Sequence, residues 1–235
     1  MMNVSRRLTR IAAHVVSGQI AADIGADHAL LSVFLVRNGI CPKVIIGELN
    51  EGPWRRAQAY VKKEGLHNVI DVRRGDGLQV LAPGEVTTVV IAGLGGKVIA
   101  DIIMGSLTKA YSYARYVLQP QPPLYPLRKV LTDLGWEIVE EEIVEEKENF
   151  YTIVVTEPRQ KPAYRLSELE LEFGPVVLRK AERPENQEFL RRELRRWERM
   201  VESLRASQSS EARARLSHYL LLKRELEEIL DAGYR

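Results

Sequence analysis

Cysteine is almost absent from this 235-residue chain: Cys41 is the only one. A single thiol makes no disulfide framework and no cysteine metal cluster, so no metal is expected. Long apolar runs are missing as well. None approaches the roughly 18 residues that span a bilayer, and the opening Met1-Met2-Asn3-Val4-Ser5-Arg6-Arg7 lacks the apolar stretch of a signal peptide. These absences point to a cytoplasmic protein with no membrane partner. Neither charge is in strong excess, since the net is +2. The distribution is uneven, however. From Arg179 onward, 14 basic and 11 acidic residues leave +3, and the remainder carries −1. A mildly basic tail suits a polyanion, and it suits a solvated helical surface equally well.

What is present is ordinary for a globular protein, 45% hydrophobic and 28% charged residues. The length allows one large domain or a domain plus an appendage. Leu8, Ile11, Ala12, Val15 and Val16 form a helical stripe behind Ser5, a suitable N-cap. Strands are then expected at 19–24, 43–47, 69–74, 87–92 and 116–119, and helices at 29–38, 53–64, 97–104 and 126–134. Two more strands, 136–144 and 151–157, flank a charged turn at 145–149 that leaves no room for a crossover helix, so they pair antiparallel. Alternation of this kind implies a parallel sheet with helices on both faces. The expected fold is α/β, a Rossmann-like doubly wound sheet with an antiparallel last strand, the shape of class I methyltransferases.

The character changes near residue 160, giving expected domains 1–160 and 161–235. Residues 161–175 read as irregular, and Pro184 opens a long helix. Leu190, Leu194, Trp197, Val201 and Leu204 make a heptad seam on it. After a polar loop at 206–210, a second helix carries Leu216, Tyr219, Leu220, Leu226, Ile229 and Leu230 on one side, with Lys223 interrupting. The expectation is a C-terminal α-helical coiled-coil hairpin.

Residues able to do chemistry fall at strand ends. The first strand runs into Ala22-Asp23-Ile24-Gly25-Ala26-Asp27-His28. Gly25 allows close approach of a ligand, and Asp23 suits the methionine ammonium of S-adenosylmethionine. Asp27 and His28 replace the glycines usual in such loops. Asp27 is either a functional group or the N-cap of the helix that begins at Ala29, and His28 orients a neighbour rather than ligating a metal. Glu48 ends the second strand 23 residues after Gly25, where a carboxylate accepts from a ribose diol. In Arg74-Gly75-Asp76-Gly77-Leu78, Asp76 either meets an adenine amino group or makes a bare turn. The run Ile91-Ala92-Gly93-Leu94-Gly95-Gly96 is no dinucleotide fingerprint, because Val98 stands where a further glycine is required. Its small residues can line the place where methyl donor and acceptor meet. Leu118-Gln119-Pro120-Gln121-Pro122 shapes the acceptor side. The Asn-Pro-Pro-aromatic signature of many adenine N6-methyltransferases is absent, which argues against an exocyclic amine as acceptor.

Together these segments, with Gly47-Glu48, Gly52-Pro53 and the aromatic turn Asn149-Phe150-Tyr151, resemble the TrmK family of bacterial tRNA (adenine-22-N1)-methyltransferases over nearly the whole chain. Leu30, Leu94 and Gln121 depart from the residues usual there, Tyr, Met and Asn. The resemblance implies methyl transfer from S-adenosylmethionine to N1 of an adenine in the D-arm region of tRNA. A monomer is expected. It implies cofactor contacts at Asp23, Gly25, His28, Glu48, Leu49, Gly75, Asp76, Gly77, Ala92, Gly93 and Leu94. Asp27 is then the carboxylate that stabilises the positive charge of the product. Arg6, Arg7 and Arg10, with Gln119 and Pro120, become the substrate contacts. Arg191, Arg192, Arg195, Arg196 and Arg199 are a second set of candidate phosphate ligands, with pairing to Glu188, Glu193 and Glu198 as the rival explanation. A small-molecule methyltransferase and a non-catalytic module binding through its hairpin are the alternatives.

Overall fold

Strands β1 (Ala21–Ile24) and β2 (Val44–Glu48) are buried at every residue, the pattern of strands covered by helices on both faces. With β3 (Ile70–Arg74), β4 (Thr88–Gly95), β5 (Arg115–Gln121), β6 (Glu137–Glu146) and β7 (Asn149–Glu157) they form one sheet in the order β3-β2-β1-β4-β5-β7-β6. Strands β1 to β5 are parallel, and β7 is inserted antiparallel between β5 and β6. Because β1 pairs with both β2 and β4, the strand order reverses there. In an open α/β sheet a ligand crevice lies outside the carboxyl ends of the strands at such a point.

The computed structural model describes residues 4–159, 162–207 and 209–232. The chain divides into two compact units, Met1–Arg165 and Leu166–Arg235; the boundary expected between residues 160 and 161 falls outside the described residues. In the first unit, helix α1 (Arg6–Ala13) is capped by Ser5, whose hydroxyl accepts from the Leu8 amide at 3.3 Å. Helices α2 (Leu30–Arg37), α3 (Glu51–Lys63), α4 (Gly96–Met104), α5 (Leu107–Ala110) and α6 (Tyr125–Asp133) cover the sheet. Val33, Leu35, Val44, Ile46, Val90 and Val117 are fully buried in the core that results. Elsewhere in the unit Tyr116 packs against Trp136, ring centroids 4.9 Å apart.

The β-strands of the first unit differ in detail from the sequence expectation. Strand β4 runs on to Gly95, three residues further, with a register shift between Ala92 and Gly95. The turn between β6 and β7 is two residues, Lys147 and Glu148, both left-handed at φ 51 and 64, the twist that a tight hairpin requires. A register shift between Ile138 and Glu140 reverses the facing of β6 beyond it. Glu141 is thereby turned into the interior, where it accepts from Arg128 of α6 at 2.8 Å in a fully buried ion pair.

In the second unit the stretch expected to be irregular contains α7 (Glu168–Phe173) and α8 (Pro175–Arg179). The first is built by a capping box between Ser167 and Glu170. Helices α9 (Pro184–Ala206) and α10 (Ser210–Ala232) pack as an antiparallel pair. Leu190, Trp197 and Val201 are buried, and Trp197 contacts Phe173 and Tyr219. On α10 the inward residues include Leu222, Leu226 and Leu230, whereas Leu220 and Leu221 are exposed. The expected inward Leu220 is corrected to Leu222. Lys223 sits beside this seam and is held by Glu227 and, across the pair, by Glu198 at 3.8 Å.

Candidate active site

At the switch between β1 and β4 lies a cavity of about 510 Å³. Asp23, Gly25, Asp27 and His28 line it from the β1 side, Ala92, Gly93 and Leu94 from β4, Gln119 and Gln121 from β5, and Arg7 and Tyr151 from α1 and β7. A second cavity, about 230 Å³, is lined by Asp76, Gly77, Val98, Asp101 and Ile102 among others. The Gly75 amide donates to the Glu48 carbonyl at 2.9 Å and ties the loop after β3 to the end of β2.

Asp23 is 3% exposed and accepts from the Ser32 hydroxyl at 2.8 Å. Burial pushes its carboxyl up to about 6; the Ser32 bond opposes that and nearby Glu48 adds to it. An ionised carboxylate so poorly solvated favours a cationic partner. Gly25 holds φ 76, and its amide donates to the Gly47 carbonyl at 2.8 Å. Only glycine takes that conformation without strain.

Glu48 is nearly buried, and one of its oxygens accepts from the Asp27 amide. Its pKa is raised, first by burial and then by the Asp27 carboxylate, against the pull of that amide and of Arg56. Asp27 does not cap α2. The capping position is Ala29, left-handed at φ 56 and without a side-chain cap bond. Instead Asp27, itself at φ 45, accepts through Oδ1 from Arg56 of α3, at 2.5 Å from Nη2 and 3.2 Å from Nε. Its Oδ2 lies 3.3 Å from His28 Nε2. The loop is therefore held by the Arg56–Asp27 ion pair together with the bond from the Asp27 amide to Glu48.

On the other wall, buried Gln119 donates from Nε2 to the Pro120 carbonyl at 3.0 Å and accepts at Oε1 from Arg7. Arg7 turns into the cavity, its guanidinium carbon 5.1 Å from the centre of the Tyr151 ring. Arg6 and Arg10 stay on the exposed face, and Arg10 donates to Glu142 at 2.5 Å. Burial raises the Glu142 pKa, but His14 and Arg10 outweigh it, so the net shift is downward. Leu49 is 56% exposed and, like Gly75 and Pro120, lines neither of these cavities. The α9 arginines Arg195 and Arg196 pair with Glu188 at 3.6 Å and Glu193 at 3.3 Å.

Sequence reasoning did not anticipate Ser32, Arg56 and Tyr151 in these roles. Ser32 was discoverable, lying in the helix that directly follows the Asp23 turn. Nothing local links Arg56 to Asp27, 29 residues away. Among the described residues, no three His, Cys, Asp or Glu side chains are grouped to hold a metal ion, and no helix is long and apolar enough to cross a membrane.

A family model described as a methyltransferase domain matches residues 4–154. The tRNA (adenine(22)-N(1))-methyltransferase of Bacillus subtilis is 31% identical over 236 residues, covering 99% of both chains. The crystal structure of the B. subtilis tRNA methyltransferase TrmK superposes with a TM-score of 0.87 at 28% identity, over 98% of this chain and 100% of that one. Streptococcus pneumoniae Sp1610, solved in complex with S-adenosyl-L-methionine, superposes with a TM-score of 0.81 at 32% identity, over 97% and 100% of the two chains. The sheet described above is the class I methyltransferase fold.

Proposed function

The chain belongs to the tRNA (adenine(22)-N(1))-methyltransferase family, and on that premise we propose that it transfers a methyl group from S-adenosylmethionine to N1 of adenine 22 in tRNA. The observation that carries the reading is a pair of buried carboxylates, Asp23 and Glu48, at the ends of adjacent parallel strands. Asp23 lines the cavity whose far wall is Gln119, Arg7 and Tyr151, and Glu48 is tied to its lining through the Asp27 amide.

The residues fit the cofactor. Asp23 offers a desolvated anion to an ammonium group. Glu48 has two carboxylate oxygens, one of them already accepting from Asp27, and a ribose diol brings two donors. Asp76, in the smaller cavity beside Val98 and Ile102, suits the adenine amino group flanked by apolar contact. Gly25 and Gly93, at φ 76 and 78, keep Cβ atoms away from the turns the cofactor would approach. His28, Ala92 and Leu94 complete that wall. When bound, the cofactor supplies an electrophilic methyl group on sulfur.

The chain's own residues must then hold the acceptor. An adenine N1 is engaged in pairing or stacking within RNA, so the base has to leave its stack to reach a closed site. Positioning is the main demand of such a displacement. Asp27 lies in the same cavity and opposes the positive charge that N1 methylation places on the ring; Arg56 holds its carboxylate in place. Arg6 and Arg10 are the phosphate contacts of α1, and Gln119 and Pro120 shape the acceptor side. The methyltransferase domain ends near residue 160 and the helical domain follows. The enzyme acts as a cytoplasmic monomer. Incubating the protein with labelled S-adenosylmethionine and total bacterial tRNA, then digesting to nucleosides, should yield labelled 1-methyladenosine. Label in a small molecule, or none, refutes the reading.

A further inference from the structure

We infer that Tyr151 is the stacking platform for the acceptor base and that Arg7 is the residue that positions it. This rests on the methyl-transfer reading above. A base drawn out of RNA loses its stacking partners, and enzymes replace them with aromatic faces or guanidinium planes. The cavity offers few such surfaces. Leu30 lines it but has no flat face. His28 also lines it, but its ring is 62% exposed and lies beside Asp27. Tyr151 is the half-buried aromatic ring in the wall, next to Gln119 and Gln121.

The ring is held as a platform needs to be. Tyr151 sits opposite Val144 in the β6–β7 pair, three residues beyond Glu148 of the tight turn, so the strand fixes its direction. Glu146, on the other side of the turn, accepts from the Arg7 amide at 2.8 Å. That amide lies in the first turn of α1 and has no partner within the helix, so the hairpin and the helix are locked together. The Arg7 guanidinium then lies over the ring at 5.1 Å, while its Nη1 is tethered to Gln119. Its Nε is buried with no hydrogen-bond partner. A helix, a hairpin and a buried amide thus converge on one ring at the acceptor end of the cavity.

The test uses the full-length protein with Tyr151→Phe, which keeps a ring, and Tyr151→Val, which keeps strand propensity without one. Kinetics with a tRNA transcript are measured beside S-adenosylmethionine affinity and thermal unfolding. A tRNA carrying 2-aminopurine at position 22 reports stacking through quenching, without the cofactor. Loss of a base–aromatic stack lowers kcat/KM about tenfold to a hundredfold. Tyr151→Val should show that loss with cofactor affinity unchanged and 2-aminopurine less quenched, and Tyr151→Phe should lose much less kcat/KM and quenching than Tyr151→Val. The inference is overturned if Tyr151→Val methylates tRNA normally, or if Tyr151→Phe loses as much as Tyr151→Val. Should Tyr151→Val not fold, the Phe variant and the wild-type quenching decide: an unquenched base in the wild-type complex overturns the platform. A wild-type protein that leaves tRNA unmethylated overturns the function reading and this inference with it.

Discussion

Asp23→Asn should make the protein more stable and a poorer binder of its cofactor, and the size of both effects follows from burial. The Asp23 carboxyl is raised from 3.8 to about 6. At ~1.4 kcal/mol for each unit of pKa, keeping it ionised at pH 7.5 costs the folded state about 3 kcal/mol. The sign is the reverse of the usual carboxylate: the native state binds its proton more tightly than the unfolded chain, so stability falls as pH rises from about 3.8 to 6. Asparagine removes the charge and can keep the Ser32 bond, but its amide adds a buried donor that costs about 1–2 kcal/mol. A net gain of about 1–2 kcal/mol at pH 7.5 remains, a few degrees of melting temperature for a unit of this size. Near pH 5 the gain should shrink, because the wild-type carboxyl is then largely protonated. The lost ammonium contact is a hydrogen bond between charged groups, about 1.5–3 kcal/mol, or roughly a tenfold to hundredfold weaker Kd. Thermal unfolding at both pH values, with and without S-adenosylmethionine, reads every term. At a cofactor concentration a hundred times its Kd the wild type should gain about 2.7 kcal/mol, and the variant far less. A variant destabilised equally at both pH values, with unchanged cofactor affinity, would refute the reasoning.

Other substitutions test other parts of the account. Asp27→Asn keeps a residue that tolerates left-handed backbone but removes the charge; turnover with tRNA should fall at least tenfold while calorimetric cofactor affinity stays within about twofold. Glu85 is held down to about 2, chiefly by its bond with Arg73; its stabilisation is present above pH 4.5 and lost as pH falls toward 2. Glu85→Gln should therefore cost about 1–2 kcal/mol at pH 7, discounted for partial exposure, and the difference from wild type should shrink in urea titrations as pH falls below 4.5 and vanish only near pH 2. A Cβ at Gly96 would collide with the Pro123 carbonyl oxygen, so Gly96→Ala should lower stability by about 1–3 kcal/mol in the same titrations. Arg128→Met strips fully buried Glu141 of its ion-pair partner and should cost about 3–5 kcal/mol, much of it recovered in the Arg128→Met/Glu141→Leu double variant.

How far the sequence could be read depended on whether a feature was local. Continuous apolar runs such as Val44-Ile45-Ile46 mark strands buried on both faces, and Asp23, Glu48 and Asp76 could be placed because each follows such a run. The hairpin turn was drawn too long because charged Glu145 and Glu146 look like loop, whereas they pair with Phe150 and Asn149 in the ladder. Helices α7 and α8, of six and five residues, are too short for periodicity to register. Buried Glu141 was hidden by a register shift that no composition reveals. Pairings across the fold were out of reach for the same reason: Arg7 meets Gln119 across 112 residues, so a basic helix face that reads as a phosphate contact delivers one of its three arginines inward.

Two transcripts of one tRNA, identical except that adenine 22 is replaced by guanine in the second, test the central claim most directly. With the wild-type protein and labelled S-adenosylmethionine, the first should become labelled at N1 of that adenine and the second should stay unlabelled. Equal labelling of both transcripts, or label at another nucleoside in the first, would contradict the account.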